Sequence, residues 1–177
     1  MGTPKGLLAL PGASEPIIDA LVRSGREAGV EPVLVGDAMP YGQIAAGVQR
    51  VDDDPVGAGP LAGLRASVRH ASETGFSRLI AVACDMPYVT SETLAYIAAH
   101  PSRATVLAAR HGLQSPWEPL LARYDAARLS PVLDEAIDRG LRSFQKLFTL
   151  IDVEALPLTP GIARALEDWD TPEDLAR

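Results

Sequence analysis

Two apolar patterns alternate along the chain. The first is helical: Ile17, Ile18, Leu21 and Val22 stand at i, i+1, i+4 and i+5, the stripe of a helix packed on one side. Ser14 reads as its cap, Pro16 as part of its first turn and Gly29 as its stop. Leu61, Leu64, Val68 and Ala71 repeat the stripe, with Pro60 at the first helical position, where its missing N–H costs nothing. Further helices are predicted from Thr90 or Ser91 with Leu94, Ile97 and Ala98 inward, from Ser130-Pro131 through Ile137 to a stop at Gly140, and from Ser143 through Phe148. Thr171-Pro172-Glu173-Asp174 is a capping-box start to a terminal helix.

The second pattern is the short apolar run. Pro32–Gly36, a stretch near Val48–Val51, Leu79–Ala83, Ala104–Ala109, Glu118–Tyr124 and Leu150–Val153 read as strands, and Lys5–Leu10 is one more such run. Leu79–Ala83 (LIAVA) is apolar without alternation, as expected of a central parallel strand covered on both faces. Strands alternating with helices predict a three-layer α/β domain, one unit over residues 1–177.

Composition narrows the function. A formal net charge of −7, with Lys and Arg spread along the chain, argues against nucleic acid as a partner. An acidic enzyme still binds an anionic nucleotide where Mg²⁺ and aimed backbone amides supply local positive charge. The histidines, His70, His100 and His111, lack the spacing of a zinc site. Cys84 is the single cysteine, so no internal disulfide forms. No apolar run reaches the ~20 residues that span a bilayer. The N-terminus lacks a signal layout, and the expected location is cytoplasmic.

Candidate chemistry gathers at two places. LIAVA ends abruptly in Cys84-Asp85-Met86-Pro87. Ligands in open α/β sheets bind beyond the carboxyl ends of strands, so Asp85 is either a carboxylate for Mg²⁺ or the cap of a neighbouring turn. Cys84 reads as a small buried hydrophobe. The turn Gly57–Gly63 superficially resembles a dinucleotide fingerprint, but it follows Asp52-Asp53-Asp54-Pro55 instead of a buried strand, which argues against an oxidoreductase. Its glycines either let a ligand approach or form a tight turn into a helix. Among the three acids, one six positions before Gly59 could add a second carboxylate for a metal; the alternative is a solvated loop. Trp117-Glu118-Pro119 either lines a pocket or combines a buried ring with a strand-edge proline. No P-loop and no G-x-S-x-G elbow is present.

Five motifs in order resemble one family: M-G-T-P-K-G-L-L at Met1–Leu8, D-x-x-x-G-x-G-P-L-A-G from Asp53 to Gly63, C-D-M-P at Cys84–Pro87, E-P-L-L at Glu118–Leu121 and D-x-D-T-P-E-D-L at Asp168–Leu175. The chain looks like a molybdenum cofactor guanylyltransferase, of the nucleotide-diphospho-sugar transferase-like superfamily. The resemblance implies a mostly parallel, Rossmann-like sheet in an α/β/α sandwich. It also implies Mg²⁺-dependent transfer of GMP from GTP to molybdopterin, with release of pyrophosphate. Asp85 would then ligand Mg²⁺, and Asp53 would contact the nucleotide or the metal. Gly59, Pro60 and Gly63 would flank guanine and ribose, and Lys5 would neutralise charge on the leaving group. Asp168 and Asp170 fall where many relatives carry asparagines on the pterin side; capping a helix is the better role for acids there.

The departure lies at the start. Relatives place a buried strand and a loop, L-A-G-G-x-S-x-R, before M-G-x-x-K, and here the chain begins at Met1-Gly2. That strand is central, so its absence would leave a slot with unpaired backbone on two neighbours. A start upstream of Met1, insertion of Lys5–Leu10 with Pro11-Gly12-Ala13-Ser14 as substitute loop, or another chain in the slot would each answer it. The expectation is a start upstream in the gene, with a fold retained and an activity impaired in the chain as given. The alternatives are a cytidylyl- or other nucleotidyltransferase on the same scaffold, and a non-catalytic accessory that docks cofactor-synthesis or molybdoenzyme proteins.

Overall fold

The computed structural model describes residues 4–9, 14–37, 39–41, 47–57, 59–112 and 114–167. The predicted terminal helix, with Asp168 and Asp170, lies outside them, as do Met1–Thr3 and residues 10–13. Helices are α1 (Ile17–Glu27), α2 (Pro60–Glu73), α3 (Ser91–Ala99), α4 (Ala126–Asp138), α5 (Phe144–Phe148) and α6 (Pro160–Ala165). Strands are β1 (Val33–Val35), β2 (Gln49–Val51), β3 (Arg78–Val82), β4 (Val106–Ala109), β5 (Glu118–Asp125) and β6 (Val153–Ala155).

The strands sort their side chains between two helical layers by their period of two. On β3, Leu79 and Ala81 face the cluster built by α2, α4 and α5, whereas Ile80 and Val82 face the one built by α3 and α6. On β4, Val106 and Ala108 join the first cluster and Leu107 and Ala109 the second. The result is the three-layer α/β/α arrangement expected from the sequence.

The sheet comes in two pieces. β1 pairs with β2 in parallel, and the other four strands run in the order β3-β5-β4-β6. Within the four, β5 is antiparallel to both neighbours and β4 is parallel to β6. β3 is therefore an edge strand of its sheet with an antiparallel partner, not the central parallel strand that its composition suggested. Its apolar residues are covered on both faces yet only partly buried, since no described strand lies beyond its other edge. Lys5–Leu10 does not enter that position: Lys5–Leu7 is a 3₁₀ turn, and Ala9 makes only an isolated bridge to Pro16.

Local chemistry moved other boundaries. Pro16, not Ser14, occupies the N-cap of α1. Asp125 caps α4 by accepting from the Arg128 amide, so the helix starts before Ser130 and encloses Pro131 in its second turn. The last strand falls at Val153–Ala155, later than predicted, and leaves Leu150 exposed. The short helix α6, capped by Thr159, was not anticipated.

One polar group is buried to hold the layers together. Arg123 on β5 is 4% exposed, and its guanidinium donates to the carbonyls of Ile97, Ala98, His100 and Ser102 at 2.9, 3.0, 2.7 and 3.0 Å. It thus closes the C-terminal end of α3, whose last carbonyls have no helical partner. Burial lowers its pKa from the ordinary arginine value. Arg123→Met should cost about 2–4 kcal/mol in urea denaturation by leaving those carbonyls unpaired; an unchanged midpoint would show that water replaces the guanidinium.

Candidate functional site

The end of β3 is pinned from inside. Met86 is buried among Val89, Leu94 and Leu121, and its amide donates to the Ala83 carbonyl at 3.3 Å, closing the turn that carries Asp85. The Asp85 side chain is 27% exposed, so the turn presents it outward. There it meets Lys5, whose Nζ donates to Oδ2 at 3.0 Å across 80 positions of sequence.

Gly6 explains how Lys5 reaches that point. A Cβ on Gly6 would lie 3.0 Å from the Tyr41 ring and 3.3 Å from Cβ of Cys84. Only glycine lets the 3₁₀ turn press against the end of β3. Cys84 is packed there with Ile18, Val22 and Leu34, as a small apolar residue would be. The Tyr41 hydroxyl donates to Cys84 Sγ at 3.7 Å. Burial first, then this contact, push the phenol up to about 12.

The second carboxylate sits in a glycine cradle. Gly36 ends β1 with φ 86°, and its amide donates to the Val51 carbonyl at 2.9 Å, which places Asp53 just beyond β2. A Cβ at Gly36 would stand 3.3 Å from Asp53 Oδ1, and one at Gly63 would stand 3.0 Å from the same atom. Among the described residues, this half-buried carboxylate makes no ion pair or side-chain hydrogen bond. It is a hard oxygen donor held open.

The Gly57–Gly63 turn opens α2 as predicted. Gly57 and Gly59 have φ of 77° and 81°, which glycine adopts without strain. Gly59 is the N-cap, with no side chain to accept the first amides, and Pro60 takes the first helical position. The Ala62 amide donates to the Gly59 carbonyl at 3.0 Å, and this end of α2 is the positive end of the helix dipole. Arg142 was missed in the sequence: its Cδ lies 3.8 Å from where a Gly59 Cβ would stand. Its guanidinium donates to the Leu141 carbonyl at 2.9 Å and the Ile137 carbonyl at 3.5 Å, with no carboxylate partner among the described residues. Proximity to a loop 83 residues earlier left no trace in spacing.

The structure thus joins Lys5 to Asp85, and Asp53 to Gly63. No group of three or more His, Cys, Asp or Glu side chains among the described residues forms a ready metal cage. Mg²⁺ does not need one, since it is commonly held by one or two carboxylates together with substrate phosphates and water; Asp53 and Asp85 are the carboxylates at these two points, the second already paired with Lys5. Two surface clefts, about 410 and 670 Å³, are lined by other residues and lie off this site. Trp117 is a packing residue, edge-on to Phe148 at 6.5 Å with the Arg110 guanidinium 4.3 Å over its ring.

Residues 1–153 match the model of the MobA-like NTP transferase domain. The chain belongs to that family. A probable molybdenum cofactor guanylyltransferase of Opitutus terrae is 29% identical over all of this chain and 87% of its own length. A molybdenum cofactor guanylyltransferase of Pseudomonas fluorescens is 32% identical over 83% of this chain and 71% of its own. In fold, the chain is similar to molybdopterin-guanine dinucleotide biosynthesis protein A of Archaeoglobus fulgidus, with a TM-score of 0.75, 23% identity, and coverage of 99% of this chain and 88% of that one. A Thermus thermophilus 2-C-methyl-D-erythritol 4-phosphate cytidylyltransferase gives a TM-score of 0.67 at 17% identity, over 98% of this chain and 91% of that one. This chain is accordingly a nucleotidyltransferase on the scaffold that the resemblance implied.

The cradle makes a separable prediction for an NTP transferase. Gly63→Ala should hold or raise the melting temperature, because alanine favours a helix over glycine by ~1 kcal/mol. The added methyl should displace Asp53 and weaken Mg²⁺–nucleotide binding by roughly tenfold or more, ~1.4 kcal/mol. Calorimetric titration showing unaltered affinity would remove Asp53 from the nucleotide site.

Proposed function

We propose that the chain transfers GMP from GTP to molybdopterin, releasing pyrophosphate. The observation that carries this reading is the meeting of Lys5 and Asp85 at the end of β3, beside a family match whose named relatives are guanylyltransferases. A terminal phosphate oxygen of the pterin attacks the α-phosphorus of GTP. The bond from that phosphorus to the α–β bridging oxygen breaks, and the electron pair leaves with pyrophosphate. Such displacements need positioning and charge neutralisation more than covalent work from the protein.

Asp85 and Asp53 would hold Mg²⁺, which when bound offsets negative charge on the phosphate oxygens. Lys5 is kept at the strand end by Asp85, where an ammonium neutralises charge developing on the leaving group. The positive end of α2 behind Gly59 and Pro60 receives an anionic or polar edge of the nucleotide, the bare Gly59 lets its base and ribose approach, and Gly63 leaves room for Asp53. Arg142, the cation beside Gly59, adds charge on the same side. The cytoplasm, where GTP is available, is the expected compartment; no described helix is long and apolar enough to cross a membrane.

The edge of β3 beside which no described strand lies favours the alternative of a non-catalytic accessory, in which the site binds no nucleotide. Thermal melts with GTP, CTP and ATP, each with and without Mg²⁺, separate the readings by mass action. We expect stabilisation by GTP that needs Mg²⁺ and disappears in Asp85→Ala. Preference for CTP would move the chain to the cytidylyl branch. No shift with any nucleotide would leave the accessory role standing.

A further inference from the structure

Asp52, Asp53 and Asp54 leave β2 as one acidic run, yet they meet three environments. Asp52 is exposed, and Asp53 lies in the glycine cradle. Asp54 is gripped from several sides by α2. The Arg65 Nε donates to the Asp54 carbonyl at 2.9 Å, and Nη2 donates to Oδ1 at 3.1 Å. The Asp54 amide donates to the Ala62 carbonyl at 3.3 Å. Arg69 Nη1 bonds the other carboxylate oxygen.

We infer that Arg65 is the positioning residue for Asp53, holding the adjoining Asp54 peptide and carboxylate so that the Asp53 carboxylate stands in its seat between Gly36 and Gly63. The inference rests on the role given above to Asp53. The Arg65 side chain is only 11% exposed, although the Asp54 carboxylate it grips is 37% exposed. Asp134 and Asp138, one turn apart on α4, stand 3.7 and 3.9 Å from its Nη1 and hold the guanidinium from behind. A planar fork with fixed donors can satisfy a backbone carbonyl and a carboxylate at once, which a lysine ammonium on a flexible stem does not.

The charges explain why Arg65 and Arg69 are not themselves ligands for phosphate. Both are engaged with Asp54 and with Asp134, so their charge is already balanced within the cluster. Their effect on an anionic ligand is therefore indirect, through the loop they fix. An ion-pair cluster that merely joined α2 to α4 would not need the bond to the Asp54 carbonyl. That bond ties the guanidinium to the residue next to the cradle, where a displacement of ~1 Å is enough to cost binding or rate.

The test uses the full chain as wild type, Arg65→Met and Arg65→Lys, with Asp54→Asn as a milder variant should Arg65→Met fail to fold. Amide hydrogen exchange should quicken at Asp53 and Asp54 in Arg65→Met while the interior amides of α2 stay protected. In the same protein the Kd for Mg²⁺–GTP should rise about tenfold, with Arg65→Lys recovering little of it. Unchanged exchange at Asp53 and Asp54 would overturn the clamp whatever the ligand. Faster exchange with an unaltered Kd, or full rescue by lysine, would reduce Arg65 to a structural ion pair. A wild type that binds no Mg²⁺–GTP would instead defeat the functional reading, and with it this role for Arg65.

Discussion

Leu61, Leu64 and Val68 drive one face of α2 into the layer shared with α4, and they are 0, 4 and 1% exposed. Burying three such side chains removes enough apolar surface from water to contribute several kcal/mol, at ~1.5–3 kcal/mol each. The candidate site depends on that docking. The start of the helix carries Gly59, Pro60 and Gly63. Its flank carries Arg65 and Arg69, which hold the loop after β2. Moving α2 would therefore move the glycine cradle, the positive end of the helix and the Asp53 seat together.

The distribution of charge follows a similar logic. Arg23 is bound by Glu15 and Glu27, Arg128 by Asp152, and Arg65 and Arg69 by the Asp54 cluster. Arg123 is enclosed by carbonyls. Most of these cations stabilise the scaffold and are not available to an anionic ligand. Lys5, which meets Asp85, and Arg142, which stands beside Gly59, are cations at the candidate site of a protein of net charge −7. Placing Lys5 on Asp85 also spares the strand end an unpaired charge in the absence of ligand.

Much of the scaffold was legible in one dimension. The stripe from Leu61 to Ala71 gave α2, and Thr90 and Ser143 capped the helices expected of them. These features depend on period and on side chains acting within a few residues. The errors had two sources, a competing local cap and the placing of a strand among distant neighbours. Asp125 captured the start of α4 ahead of Pro131, and β3 took an edge position that no property of LIAVA could report.

The sequence by itself determined most of the strands and helices, that Asp85 follows an apolar strand, and that a glycine-rich turn precedes a helix. These follow from the spacing of apolar side chains and the backbone freedom of particular residues. Tertiary structure decided which of three adjacent aspartates is open, which is clamped and which is solvated. It also brought Lys5 to Asp85 and Arg142 to Gly59. The last two rest on groups that approach within 4 Å across 80 or more residues, and such distances are set by how the layers pack.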